Sequence, residues 1–162
     1  MEIVISDTNI FIDLWNIGLL ERFCELPISI HTTEFIIGEL KTKGVKDAVL
    51  QLFKEAKIIV KTFKNTEYAE IISLQDKNLS FQDCTVLYYA LSGDYKILTG
   101  DRNLRAIAER HGLQVSGTIY VIDELLQNGI LTKEEYVAKL KALMESNHRL
   151  PIREIMKRIE GI

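Results

Sequence analysis

Hydrophobic and polar positions along this chain switch repeatedly between a strand-like and a helix-like period. Ile3-Val4-Ile5 is a β-branched run, long enough for a buried strand and too short for a buried helix. It stops at Ser6-Asp7-Thr8-Asn9, and from Ile10 the apolar residues fall at helical spacing through Leu14, Ile17 and Leu20/Phe23, with a break at Gly18. After Pro27, Ile28-Ser29-Ile30 alternates as a short strand. Thr32 or Thr33 then stands where a cap belongs, ahead of a helix holding Phe35, Ile36, Glu39 and Leu40. Beyond Gly44 the spacing predicts a helix over 45–56 with Ala48, Leu52 and Phe53 inward, then a β-branched strand over 57–63. Thr66 is placed to cap a helix over 67–76, and Leu79-Ser80 opens another that runs through Leu91. Lys96-Ile97-Leu98-Thr99 is the third convincing strand, followed by a helix over 102–111 that Gly112 closes and a brief strand over 114–116. The remainder reads as helices over 119–127, 133–145 and 152–159. Strands alternating with helices predict an α/β fold: a small, mainly parallel sheet flanked by helices over residues 1–116. Residues 117–162 read as a helical C-terminal extension packed on the same domain.

Composition narrows this picture in a few places. Hydrophobic residues make up 47% of the 162 and charged residues 27%, the balance of a globular chain with a real core. No apolar run approaches a membrane span, and the first residues enter a strand without a leader-like segment, so a cytoplasmic protein is expected. Cys24 and Cys84 sit in apolar contexts without metal-binding or CxxC spacing and read as reduced, buried thiols. A net charge of −3 argues against a general polyanion binder, yet a site made of carboxylates would contribute to that charge and be offset locally by bound cations.

Asp7 and Asp101 each follow a strand and precede a helix, so they belong at the C-terminal edge of the sheet, where open α/β sheets bind ligands. Each also suits a helix cap, and Ser80-Phe81-Gln82-Asp83 fits a capping box. Helix geometry adds something for the other two acids. Asp83 shares a face with Val86, Leu87 and Ala90, and Glu39 shares one with Phe35 and Ile36. Carboxylates on core-facing stripes are costly unless a cation or strong donors compensate them. With no obvious buried Lys or Arg to do so, a hard divalent cation held by oxygen ligands is the better candidate.

The segments SDTNIFID around Asp7, IIGEL around Glu39, SFQD around Asp83 and TGDRNL around Asp101 resemble, in order and spacing, the four acidic motifs of the PIN-domain superfamily. That resemblance implies a Mg²⁺- or Mn²⁺-dependent nuclease, commonly a ribonuclease, and many relatives are VapC-like toxins with a partner antitoxin. It assigns Asp7, Glu39, Asp83 and Asp101 as the metal-holding catalytic acids, with Asn9 and Thr99 as supporting polar residues. The tail from Gly117 is similar to that of an uncharacterised PIN subgroup and is longer than most short VapC-type toxins carry. The acids then act mainly as ligands and water-orienters, while the metal reverses the local field for an anionic phosphodiester. Lys41, Lys43 and Lys46 after Glu39, and Arg102 and Arg105 after Asp101, are candidate phosphate contacts; a solvated helix face is their ordinary role.

Three other readings compete or add. A phosphatase with a strand-end Asp nucleophile wants a second acid two residues on, where this chain has Asn9. A PIN-like module that binds RNA or protein without cutting would be favoured by loss of an acid, and all four are present. In the tail, Ile152, Ile155, Met156 and Ile159 recur at helical spacing, a stripe that either covers the domain or meets an antitoxin or a second copy. Because closed symmetric dimers are the commonest soluble oligomers, a homodimer is expected.

Overall fold

The computed structural model describes residues 1–162. Five parallel strands form one sheet: β1 (Glu2–Ser6), β2 (Ile28–Thr33), β3 (Ile58–Lys61), β4 (Lys96–Leu98) and β5 (Val115–Ser116), in the order β3-β2-β1-β4-β5. The chain builds outward from β1 through β2 to β3, then returns to the other side of β1 for β4 and β5. The strand order therefore reverses between β1 and β4, the crevice that favours ligands in parallel sheets. The central strand is buried through Val4, Ile5 and Ser6, as sheets covered on both faces require.

Between the strands lie α1 (Thr8–Asn16), α2 (Leu20–Phe23), α3 (Glu34–Glu39), α4 (Lys43–Lys54), α5 (Asn65–Ser73), α6 (Phe81–Gly93) and α7 (Arg102–Arg110). The helix expected over 10–23 is two helices. Gly18 takes φ +72°, a left-handed conformation open to glycine, and the chain turns there. α4 turns Val45, Val49 and Leu52 into the core, and Phe53, about 100° round from Leu52, lies past the edge of that stripe; it is 44% exposed, against the expectation that it faces inward. β3 is shorter than the 57–63 run. α5 begins ahead of Thr66, with the Glu67 carboxylate closing back onto the Lys64 backbone N–H at 2.9 Å. β2 runs past Ile30 to Thr33 because His31, Thr32 and Thr33 pair with Ile59, Val60 and Lys61 of β3, and the Thr32 hydroxyl donates to the Ser6 carbonyl at 2.8 Å. Both cysteines are free, Cys84 buried and Cys24 half-buried.

The tail forms α8 (Thr118–Gln127), α9 (Lys133–Ser146) and α10 (Ile152–Glu160). It is fastened to the body by named bonds: Lys139 Nζ donates to the Ile17 carbonyl at 2.7 Å, and Arg22 pairs with Glu135 at 2.6 Å. Within the tail, Asp123 accepts from Arg158 at 2.9 Å and from the Tyr136 hydroxyl at 2.6 Å, tying the three helices together. The apolar stripe of α10 divides: Ile155 is fully buried and Ile159 half-buried, while Ile152 and Met156 are 57% and 39% exposed. No helix is long and apolar enough to cross a membrane.

Candidate active site

Adjacent ends of β1 and β4 create the site. The Asp7 backbone N–H donates to the Leu98 carbonyl at 3.0 Å, continuing the pairing that sets Ser6 beside Leu98. Asp7 and Thr99 thus emerge side by side at the switch point. Asp7 caps α1 through Oδ1, which accepts from the Thr8 N–H at 2.7 Å, and its Oδ2 accepts from the Thr99 hydroxyl at 2.7 Å. Thr99 Oγ1 in turn accepts from the Asp101 backbone N–H at 3.0 Å. One hydroxyl therefore joins the two strand-end acids. Asp101 caps α7, its Oδ1 accepting from Asn103 N at 2.7 Å and Leu104 N at 3.0 Å, which leaves Oδ2 without a partner.

The two helix acids arrive from the other side. Asp83 is the third residue of α6 and completes the capping box: Ser80 Oγ accepts from the Asp83 N–H, and Asp83 Oδ2 accepts from the Ser80 N–H at 3.1 Å. Its Oδ1 is free, and Val86, Leu87 and Ala90 on the same face are fully buried. Thr85, two residues on from Asp83, bonds the Thr33 hydroxyl at 2.9 Å, so the end of β2 braces α6. The same Thr33 caps α3 by accepting from Ile36 N at 3.2 Å. α3 ends on Glu39, whose carboxylate takes no hydrogen bond and sits at a helix C-terminus, the end that disfavours negative charge.

Electrostatics connects the four. Burial, above all, raises Asp7 to about 6; the Thr99 and Thr8 bonds work against this, and the charges of Asp83 and Asp101 add to it. Burial likewise raises Glu39, helped by Asp7 and Asp83 and opposed by Lys41, and raises Asp83, helped by Asp101. Each of the four thus feels the charge of at least one other: Glu39 that of Asp7 and Asp83, Asp7 that of Asp83 and Asp101, and Asp83 that of Asp101. None of the seven ion pairs in the structure involves any of them. The structure brings no three of these side chains close enough together to hold a metal ion between them, and three of the acids spend oxygens on local N–H and O–H donors. The donor set is hard oxygen throughout, with free lone pairs on Asp83, Asp101 and Glu39, and it suits a hard divalent cation.

Asn9 is exposed on the first turn of α1, and a Cβ at Gly100 would lie 3.8 Å from its own Cβ, so it stands over the Asp101 loop. Lys41, Lys43 and Arg102 are exposed and unpaired near the acids in sequence. The Arg105 guanidinium is spent on the Val115 carbonyl at 3.1 Å and on Glu109. Thr33 caps α3, one of the two threonines expected there. Sequence reasoning passed over Thr85, which looks like ordinary β-branched filler and bonds that Thr33 hydroxyl. It also passed over Asp13, whose one signal was a carboxylate within the apolar pattern of α1; Asp13 is buried and accepts from Thr118 Oγ1 at 2.7 Å and Asn147 Nδ2 at 3.0 Å.

The chain is therefore a parallel α/β fold with two strand-end acids at its switch point. The sequence profile of the family described as PIN domain matches residues 3–161, and the chain belongs to that family. Members are generally nucleases that use divalent metals. No curated protein matches the chain significantly. Among solved structures, a domain of a functionally unknown protein from Methanocaldococcus jannaschii DSM 2661 is similar, with 19% identity and a TM-score of 0.47, covering 72% of this chain and 91% of that one.

Proposed function

We propose that this PIN-domain protein is a divalent-metal-dependent endoribonuclease that hydrolyses single-stranded RNA, with Asp7, Glu39, Asp83 and Asp101 holding Mg²⁺ or Mn²⁺. The observation that carries the reading is the charge at the switch point: four carboxylates, each repelled by at least one other, and none of them in an ion pair with a Lys or Arg of the chain. When bound, the metal supplies charge neutralisation and a water of lowered pKa. The chain's own part is orientation. Thr99 fixes the Asp7 carboxylate and the Asp101 backbone together, and the Ser80 box fixes the rotamer of Asp83. The exposed amide of Asn9 is placed to hold water or substrate, and Lys41, Lys43 and Arg102 are the free cations available to flanking phosphates. A silent RNA- or protein-binding module is the weaker reading, since every acid is present.

The exposed Ile152 and Met156 of α10 support a further contact with a second chain, which we assign to a homodimer; an antitoxin is the other occupant that the VapC likeness raises. Cleavage of a labelled single-stranded RNA with Mg²⁺ or Mn²⁺ tests the main reading. Activity should disappear on chelation and in Asp101→Asn, and a fully active Asp101→Asn would overturn the assignment.

A further inference from the structure

Beside the acids lies a cleft of about 260 Å³ between α1 and the turn that joins α9 to α10. Asn9 and Gly100, neighbours of Asp7 and Asp101, line it together with Asn16, Asn147 and Arg149, and Asp13 is the one acid among its lining residues. It is below the roughly 300 Å³ at which small-molecule pockets begin, so it suits a length of polymer passing through better than an enclosed metabolite. Its walls are rich in amides, which both donate and accept, and Arg149 is the cation among its lining residues. That arginine is exposed and joins none of the ion pairs.

The position of Arg149 is built. Asp13, 7% exposed, receives a bond on each carboxylate oxygen, one from Thr118 at the start of α8 and one from Asn147 Nδ2. The other end of the same Asn147 amide, Oδ1, accepts from the Arg149 backbone N–H at 3.0 Å. A buried carboxylate on the helix that Asp7 caps therefore holds, through one amide, the backbone of an unpaired arginine at the cleft. A surface turn with no task beside the site has no need of a buried anion as its anchor, given the cost of burying that charge.

We propose that this cleft takes the backbone of single-stranded RNA on one side of the scissile phosphate. Arg149 contacts a phosphate and Asn147 is its positioning residue; the substrate class rests on the nuclease reading above. The test measures binding of a fluorescein-labelled single-stranded RNA by anisotropy across a salt series, in the full chain carrying Asp101→Asn to suppress cleavage. Arg149→Gln should weaken binding about tenfold and lower the slope of log K against log salt by about 0.7, the value of one single-strand phosphate contact. Arg149→Lys should keep most of the slope. Asn147→Ala, which removes no charge, should lower it as Arg149→Gln does. Arg110→Gln is the charge-matched control at the far end of α7, and it should leave the slope unchanged. If Arg149→Gln behaves like Arg110→Gln, or if the Asp101→Asn chain binds no RNA, the cleft assignment is overturned. Cleavage by the unmutated chain is scored separately. An Arg149-dependent slope without cleavage would keep the cleft and reject the nuclease, and cleavage without that dependence would do the reverse.

Discussion

Replacing Asp7 by Asn keeps an acceptor for the Thr8 N–H and removes the charge. Asp7 is 3% exposed, and its carboxyl is raised from an ordinary 3.8 to about 6, chiefly by burial. A group that holds its proton more tightly in the folded state stabilises the fold relative to its ionised form at low pH. That contribution is complete below about 4 and is lost as pH rises through 6. Ionising a carboxyl held at about 6 rather than 3.8 costs roughly 3 kcal/mol at neutral pH, a cost that the neutral amide escapes. For a chain of this size Asp7→Asn should raise Tm by about 5–10 °C at pH 7.5, while activity is lost. Below pH 4 parent and variant should melt together.

Thermal and urea unfolding over pH 4–8, without added metal, provide the assay. Burial and neighbouring acids push Glu39 and Asp83 the same way, so the parent should lose stability across this range and the variant should lose less. A variant less stable than the parent at pH 7.5, or a parent whose stability is flat from pH 4.5 to 7, would refute the reasoning. In that case the carboxylate would be worth more as a cap than it costs as a buried charge.

Four further outcomes follow from the same geometry. Thr99→Val removes the donor to Asp7 and the acceptor of the Asp101 N–H; it should cost about 1–3 kcal/mol in unfolding free energy and raise the Asp7 pKa further, readable by carboxyl NMR. Mn²⁺ binding followed by calorimetry should release protons below pH 6 and tighten as pH rises through 6, because Asp7 must ionise to act as a ligand. Ile155→Ala, at a fully buried position of α10, should cost about 2–5 kcal/mol, whereas Ile152→Ala should cost under about 0.5 in a monomer. Light scattering over a dilution series should show a dimer that Ile152→Asp with Met156→Asp dissociates; a monomer at every concentration would return those residues to plain surface.

The period of the apolar residues foretold every strand and most helix boundaries, because the β-branched runs and the glycines at 18 and 112 carry local information. What it could not carry was the end of β2. Thr32 and Thr33 read as caps of the next helix, yet with His31 they pair with β3 as strand, and Ser6, Thr85 and Tyr89 supply partners for their side chains from distant segments. Phe53 failed for a related reason: hydrophobicity says that a residue prefers burial, while the hundred-degree step of the helix decides whether there is core on its side. The acids at 7 and 101 were legible from strand ends alone. Asp13 and Arg149 were not, since their link is a single amide 134 residues from Asp13 in the chain.

Capping and metal holding were weighed as rival roles for the acids, and three of the four do cap or complete a capping box. A carboxylate has four lone-pair sites, and a cap uses one or two of them. Asp83 and Asp101 each anchor one oxygen on backbone N–H groups and leave the other free, so the cap immobilises the free oxygen at no further entropy cost. A helix N-terminus also favours the negative charge that a cation would need there. Glu39 lacks all of this: it stands at a helix C-terminus, takes no hydrogen bond, and faces Asp7 and Asp83, whose charges oppose its own. Lys41 is the one charge that favours it, and burial with the two acids outweighs that. Glu39→Gln should therefore be neutral or stabilising in the absence of metal and should weaken Mn²⁺ binding, a pairing of effects that an acid retained for structure would not show.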